Sequence, residues 1–137
     1  MIKVKNLHKS FGNTKVLKGI STVFESGKTN LIIGQSGSGK TVLLKCLLGL
    51  FDYEEGSIAY DKSIFSTLSD NEKRTLRSQI GMVFQGGALF DSLTIAENVM
   101  FPLRMFTKQS RSEMEDRVNS ALKRVNLEAA HDKMPSE

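Results

Sequence analysis

Alternating apolar and polar residues at the start of the chain predict β-strands. Residues 2–7 (IKVKNL) alternate as a half-buried strand does, and residues 16–24 hold a second β-rich run. Residues 57–60 form a third short candidate, whereas 29–33 (TNLII) and 80–84 (IGMVF) are continuous apolar runs, typical of buried parallel strands. The pattern therefore predicts a small antiparallel layer that leads into a parallel α/β core.

Helices are predicted at four places. The first covers residues 41–50, where apolar side chains surround the helix. The other three begin at a Ser or Thr that is followed three positions later by Glu, the capping-box pattern: Ser69 with Glu72, Thr94 with Glu97, and Ser110 with Glu113. Pro102 is expected to interrupt the third helix, and Asn126 is expected to end the fourth.

A glycine-rich loop, GQSGSGKT at residues 34–41, lies between a predicted strand and the first predicted helix. It fits G-x-x-x-x-G-K-[ST], the phosphate-binding P-loop. Its backbone N–H groups would surround phosphates, and the helix N-terminus behind it favours negative charge. Lys40 is then expected to reach the β- and γ-phosphates, and the Thr41 hydroxyl to hold Mg²⁺. A dinucleotide fingerprint fits less well, because Val42 stands where a third Gly or Ala is needed.

Composition narrows the class of protein. The chain has 137 residues, the length of one ordinary domain, and its 39% hydrophobic content is enough for a core. The net charge of +4 comes from interspersed basic and acidic residues, which disfavours a nucleic-acid partner. The lone Cys46 suits a reducing compartment. We expect no transmembrane segment and no signal peptide.

Two further sites flank the P-loop: Phe11 before it, and 82–85 (MVFQ) after it. This order of features resembles the nucleotide-binding domain of ATP-binding cassette (ABC) transporters. The resemblance implies that the Phe11 ring stacks on adenine and that Val16 also contacts the nucleotide. It implies that Gln85 binds Mg²⁺ or orients the attacking water and senses a membrane partner. Taken alone, Phe11 could be a packing residue and Gln85 an ordinary surface residue.

The resemblance thus implies ATP and Mg²⁺ as cofactors. Lys40 and Gln85 are the expected catalytic residues, and Thr41 and Gln85 the expected metal ligands. The expected nucleotide contacts are Phe11, Val16, Gly34, Gln35, Ser36, Gly37, Ser38, Gly39, Lys40, Thr41 and Val42. Many relatives carry Ser or Thr where this chain has Val42, so one hydroxyl contact is lost with a small expected effect.

The string at 85–99 (QGGALFDSLTIAENV), followed by FPLR at 101–104, is similar to a narrower group of ABC ATPases. That group energises lipid transport together with substrate-binding proteins of the Mce or Mla type. It implies a homodimer of ATPase subunits, transmembrane permease subunits and an Mce-type lipid-binding protein. The complex would transport phospholipid or a related lipid across the bacterial envelope. The permease subunits would hold the ATPase at the cytoplasmic face of the inner membrane. The same string could instead only link a strand to a helical subdomain.

The expected fold class is α/β: a P-loop NTPase core with an N-terminal antiparallel layer and the start of a helical subdomain. The expected division is a partial ATPase core at 1–90 and the start of the helical subdomain at 91–137. The resemblance covers only about the N-terminal half of such a domain. Relatives continue with an LSGG-type signature, a strand ending in Asp-Glu and a switch histidine, none of which lies within 1–137. Segment 29–33 is therefore expected to have an open edge.

Three functions follow from these observations. The first is the ATP-binding portion of a transport ATPase, with residues 1–137 alone hydrolysing ATP negligibly. The second is a nucleotide-binding fragment without catalysis. The third is a soluble ABC ATPase that acts on nucleic acid or ribosomes, which the scattered charge disfavours.

Overall fold

The computed structural model describes residues 1–84 and 86–137, which pack as two units, Met1–Met82 and Val83–Glu137. Each unit has its own hydrophobic core. The expected domain division into 1–90 and 91–137 stays a prediction, because these units reflect packing within this chain alone.

The first unit contains a four-stranded antiparallel sheet with the strand order β2-β1-β3-β4. The strands are β1 (Ile2–Phe11), β2 (Thr14–Phe24), β3 (Glu55–Tyr60) and β4 (Ser63–Ile64). A two-residue turn joins β1 to β2, so that Phe11 pairs with Thr14. The predicted antiparallel layer is confirmed, and β1 runs past its predicted end because it pairs with a strand on each side.

A bulge in β1 decides which of its side chains enter the core. Val4 and Leu7 are both buried although they stand three residues apart, a spacing that an undistorted strand would place on opposite faces. The pairing register shifts between them, and Asn6 has a φ of 48°. Across the sheet, a Cβ atom on Gly56 would lie 2.3 Å from the Asn6 carbonyl oxygen. Glycine at position 56 therefore makes room for the bulge.

Two helices accompany this sheet. They are α1 (Lys40–Leu47) and α2 (Asp70–Ser78), and a short 3-10 helix, Phe65–Thr67, precedes α2. The buried face of α1 consists of Leu43, Cys46 and Leu47, which join the core cluster with Ile58 and Leu7 of the sheet. The helix predicted after the P-loop is confirmed.

The second unit consists of α3 (Ile95–Phe106) and α4 (Arg111–Arg124), followed by a short 3-10 helix, Glu128–Ala130. Its core joins Ala96 and Met100 of α3 to Val118 and Leu122 of α4. These residues recur at three- and four-residue spacing, so that each helix buries one stripe against the other.

All three predicted capping boxes form. The end of α4 is also as predicted, because Asn126 adopts a φ of 57°. Its N–H donates to the Lys123 carbonyl, and the Leu127 N–H donates to the Leu122 carbonyl at 2.9 Å. This pair of bonds is a Schellman motif, in which a left-handed residue satisfies carbonyls that the helix itself leaves free.

Two strand predictions are wrong. Segments 29–33 and 80–84 form no strand, and Leu31, Ile33 and Val83 are 82%, 82% and 97% exposed. A parallel strand needs neighbours to bond its backbone, and none of the described residues pairs with either segment. Among the described residues, segment 29–33 therefore pairs at neither edge, whereas a strand with one open edge was expected.

The expected interruption at Pro102 is also wrong. Helix α3 continues through Pro102 to Phe106. Proline has no backbone N–H, so one hydrogen bond of the helix is missing and leaves a gap. Capping at Thr94 and packing of Ala96 and Met100 against α4 stabilise the helix on the N-terminal side of that gap.

Candidate functional site

The P-loop leads into α1, which begins at Lys40. Gly39 is the residue before the helix and has a left-handed φ of 94°. A Cβ atom at this position would lie 2.9 Å from Val16 Cγ1 and 3.2 Å from Leu17 Cδ2. A side chain would be both strained and crowded there, so glycine allows the loop to pack directly on β2. The structure thus brings the predicted site residues Val16 and Gly39 together.

The Lys40 side chain folds back onto its own loop. Its Nζ atom donates hydrogen bonds to the backbone carbonyl oxygens of Gly34 and Gln35, both at 2.7 Å. The Ser38 N–H donates to the Gln35 carbonyl at 3.2 Å and closes a turn. The ammonium group therefore lies against the loop, next to the backbone that the sequence predicts to surround phosphates.

The loop offers accessible backbone to an anion. Residues 34–38 are exposed, and the backbone of Gly37, with a φ of 76°, has open space around it. The first-turn N–H groups of α1 have no partner within the helix, as at any helix N-terminus. Free donors, a helix dipole and the Lys40 ammonium therefore fit a chain of phosphates.

The predicted metal ligands are only partly described. Thr41 is exposed at the first turn of α1, and Val42 beside it is half-buried. Gln85 lies outside the described residues. Within 1–84 and 86–137, no three His, Cys, Asp or Glu side chains group closely enough to hold a metal ion. A P-loop instead binds Mg²⁺ through one hydroxyl together with phosphate oxygens, and the exposed Thr41 fits that role.

Phe11, the predicted base-stacking residue, ends β1 and remains 45% exposed. Its ring contacts Phe51 edge-to-face, with 5.3 Å between centroids and an interplanar angle of 73°. The Lys9 ammonium lies 5.1 Å from the Phe11 ring centroid. Sequence reasoning missed Phe51, because only the pairing of β1 with the segment before β3 brings it to Phe11. It also missed Lys9, which lies two positions before Phe11 on the same strand.

A carboxylate fixes this arrangement. Glu54 accepts hydrogen bonds from Lys9 Nζ and from the Ser10 N–H, each at 2.9 Å. The bond from Lys9, more than that from Ser10, holds the pKa of the Glu54 carboxyl below its usual range. The Glu54 N–H in turn donates to the His8 carbonyl at 3.1 Å. The segment that carries Phe51 is thereby bonded to the end of β1.

An apolar cleft of about 380 Å³ borders the P-loop. Its polar lining comes from Thr22 of β2 and from Ser38 and Lys40 of the loop, whereas most of its wall is aliphatic or aromatic: Leu17, Ile20, Phe24, Leu31, Ile32, Ile33 and Leu43. The unpaired segment 29–33 contributes three of these residues. Such a wall suits apolar packing and offers few groups to a phosphate.

In the second unit, a buried amide holds the loop before α3. Asn98 Oδ1 accepts from the Phe90 N–H at 2.7 Å, and its Nδ2 donates to the carbonyls of Phe90, Leu93 and Thr94. No residue near Asn98 in sequence signals this role, since Asn in a helix is commonly exposed.

Among the described helices, none has the length and hydropathy of a membrane span.

The chain is similar to known proteins over its whole length. The sequence profile of the family described as "ABC transporter" matches residues 17–137. The "Methionine import ATP-binding protein MetN" of Clostridium tetani is 41% identical over 137 residues, which cover 100% of this chain and 43% of that protein. "Protein TRIGALACTOSYLDIACYLGLYCEROL 3, chloroplastic" of Arabidopsis thaliana is 38% identical, over 100% of this chain and 39% of that protein. The chain thus spans less than half the length of these curated relatives.

A solved structure shares the fold. A dimeric ATP-binding cassette in a post-hydrolysis state, bound to ADP and Pi, superposes with a TM-score of 0.85 and 32% sequence identity. The match covers 99% of this chain and 62% of that cassette. The predicted α/β fold class is therefore confirmed.

Proposed function

This chain belongs to the ABC transporter family, as its sequence motifs predicted, and on that basis we propose that it forms the ATP-binding portion of a transport ATPase. The observation that carries the proposal is the P-loop geometry. Lys40 begins α1 while its ammonium contacts the carbonyls of Gly34 and Gln35. A cation, a helix N-terminus and exposed glycine backbone then converge on one position, where a triphosphate would bind.

Four groups of this chain would take part in binding the nucleotide. Backbone N–H groups of the P-loop would donate to phosphate oxygens, and Lys40 would leave its carbonyl partners to neutralise the β- and γ-phosphates. Thr41 would hold Mg²⁺, which neutralises phosphate charge when it is bound. Phe11 would stack on the adenine, because its ring is exposed and every base has a flat apolar face.

Gln85 is proposed to orient the attacking water or to bind Mg²⁺. Hydrolysis also requires a carboxylate that polarises this water, and the family resemblance assigns that group to a strand outside residues 1–137. We therefore propose that the complete protein hydrolyses ATP and that the polypeptide 1–137 alone does so negligibly. Steady turnover by purified 1–137, abolished by Lys40→Ala, would contradict the second part.

The proposed partners are a second copy of the ATPase and transmembrane permease subunits. The related cassette was solved as a dimer, which supports the first. The permease would hold the protein at the cytoplasmic face of the membrane.

The proposed substrate is a phospholipid or related lipid, delivered with an Mce-type lipid-binding protein. The string at 85–104 supports it, as does the lipid named for the Arabidopsis relative. The name of the Clostridium tetani relative instead specifies methionine import. ATP hydrolysis by the complete complex in detergent micelles separates the two, since added phospholipid should stimulate it and added methionine should not.

Calorimetric titration of the complete protein tests the binding proposal itself. With Mg²⁺ present, ATP should bind far more tightly than adenosine, because most of the contacts are to phosphates. Equal affinity for ATP and adenosine would overturn a phosphate-binding role for residues 34–41.

A further inference from the structure

Phe51 and Phe11 form an aromatic pair at the outer end of the sheet. Their rings meet at 73° with centroids 5.3 Å apart, a favourable edge-to-face arrangement. Each ring also lies near a cation, Lys9 at 5.1 Å from Phe11 and Lys45 at 5.0 Å from Phe51. The cluster remains open to a ligand on part of its surface, because Phe11 is 45% exposed.

The Phe51 backbone is fixed to the helix that begins at the P-loop. The N–H groups of Leu50 and Phe51 both donate to the Lys45 carbonyl, at 2.8 and 3.3 Å. Lys45 lies in the last turn of α1, whose first residue is Lys40. One short helix therefore connects the phosphate-binding lysine to the aromatic ring that supports Phe11.

The other end of this segment is fixed to β1. Glu54 bonds Lys9 and the Ser10 N–H, and its own N–H donates to the His8 carbonyl. The Lys9 side chain is only 15% exposed, so its ion pair with Glu54 is partly shielded from water. Phe51 is thus held between two anchored points, α1 on one side and the last residues of β1 on the other.

We infer that Phe51 is a positioning residue for the nucleotide base: it fixes the ring of Phe11 in the orientation that accepts adenine. The inference rests on the proposed stacking by Phe11. An exposed phenylalanine at a hairpin end would otherwise sample several rotamers, and binding would have to remove that freedom. Contact with Phe51 removes it in advance. Because Phe51 is bonded to α1, the base-binding ring is also set relative to the phosphate loop.

The test compares two ligands, ATP and inorganic tripolyphosphate, on the complete protein with Mg²⁺. Both use the P-loop, but only ATP has a base, so the ratio of the Kd of tripolyphosphate to the Kd of ATP reports base recognition. Phe51→Leu should weaken the affinity for ATP by about 3- to 10-fold and leave the affinity for tripolyphosphate unchanged. Phe51→Tyr keeps the ring and should retain the wild-type ratio. In a Phe11→Ala background, Phe51→Leu should have no further effect on the ratio.

The outcomes separate this inference from the proposal beneath it. If Phe11→Ala leaves the ratio unchanged, Phe11 does not stack on the base and the stacking proposal itself fails. If Phe11→Ala lowers the ratio but Phe51→Leu does not, stacking stands and the inference is overturned. An equal loss of affinity for both ligands in Phe51→Leu would also overturn the inference, since Phe51 would then affect only the P-loop, through α1. Phe106→Leu, at an 82% exposed ring on α3, is the matched control.

Discussion

The Lys40 ammonium lies 2.7 Å from the carbonyl oxygen of Gly34 and donates a hydrogen bond to it. A second bond of the same length goes to Gln35. These bonds keep the P-loop wrapped around its lysine, so the cation is already located where phosphates would enter. A nucleotide bound as proposed would exchange these carbonyl acceptors of Lys40 for phosphate oxygens.

Lys40→Met should weaken ATP binding by about 10- to 100-fold, because hydrogen bonds to charged groups contribute roughly 1.5–3 kcal/mol. Fluorescence titration with a labelled ATP analogue measures the loss. Lys62→Met, at an exposed lysine in the turn between β3 and β4, is the control and should bind as wild type does. Unchanged affinity in Lys40→Met would remove the lysine from the site.

Gly39→Ala should destabilise the first unit and weaken ATP binding together. Its left-handed φ of 94° disfavours a side chain, and the new Cβ would lie 2.9 Å from Val16 Cγ1. Strain of this kind costs about 1–3 kcal/mol, which a urea titration resolves. Gly81→Ala has no neighbouring atom within 4 Å and should stay within about 0.5 kcal/mol of wild type. Equal urea midpoints for both variants would contradict the close packing of the loop on β2.

Asn98→Ala should loosen the loop before α3. The substitution leaves the Phe90 N–H and the carbonyls of Phe90, Leu93 and Thr94 without their amide partner. We expect a loss of about 1–3 kcal/mol in unfolding free energy. Hydrogen exchange at the Phe90 amide should also accelerate. Asn119→Ala, at an exposed position of α4, is the control, and the same exchange rate in both variants would contradict the clamp.

Tyr60 predicts a loss of stability in alkali. Its hydroxyl donates to the Leu47 carbonyl, and burial raises the pKa of Tyr60 to about 12. An unfolded tyrosine ionises near pH ~10, so the unfolded state loses its proton first as the pH rises. The contribution of Tyr60 is therefore complete below about pH 10 and is lost between about pH 10 and 12, by roughly 2–3 kcal/mol.

Urea titrations of wild type and Tyr60→Phe at several pH values test this dependence. At pH 8 the variant should be less stable by about 1 kcal/mol, because it lacks the hydrogen bond. As the pH rises from about 10 to 12, the difference should vanish and then reverse, because wild type loses roughly 2–3 kcal/mol and the variant has no phenol at this position to ionise. A constant difference would mean that the phenol is not protected from ionisation.

Helices were predictable in this chain because their signals are local. Each capping box joins two residues only three positions apart, and all three form as predicted. Asn126 likewise ends α4 through its own backbone conformation. These start and stop signals depend little on the rest of the fold. The continuation of α3 through Pro102 was not predicted, because it also relies on packing against α4.

Buried strands were not predictable in the same way. Segments 29–33 and 80–84 have the composition of core strands, yet both are unpaired among the described residues. A strand gains its hydrogen bonds from a neighbour that is distant in sequence. An apolar segment therefore indicates that a neighbouring strand is needed, but it does not show whether one is present.

The sequence by itself determined the local segments: the P-loop, the three capping boxes and the β1–β2 hairpin. Each is short, and its own backbone and side-chain chemistry select its conformation. Only the tertiary structure decided that Phe51 contacts Phe11 and that Gly39 packs on Val16. These contacts join residues from separate elements, and their geometry depends on how β1 bulges and how α1 packs on the sheet. Phosphate recognition could therefore be inferred from one short string, whereas the proposed support of the base required the fold.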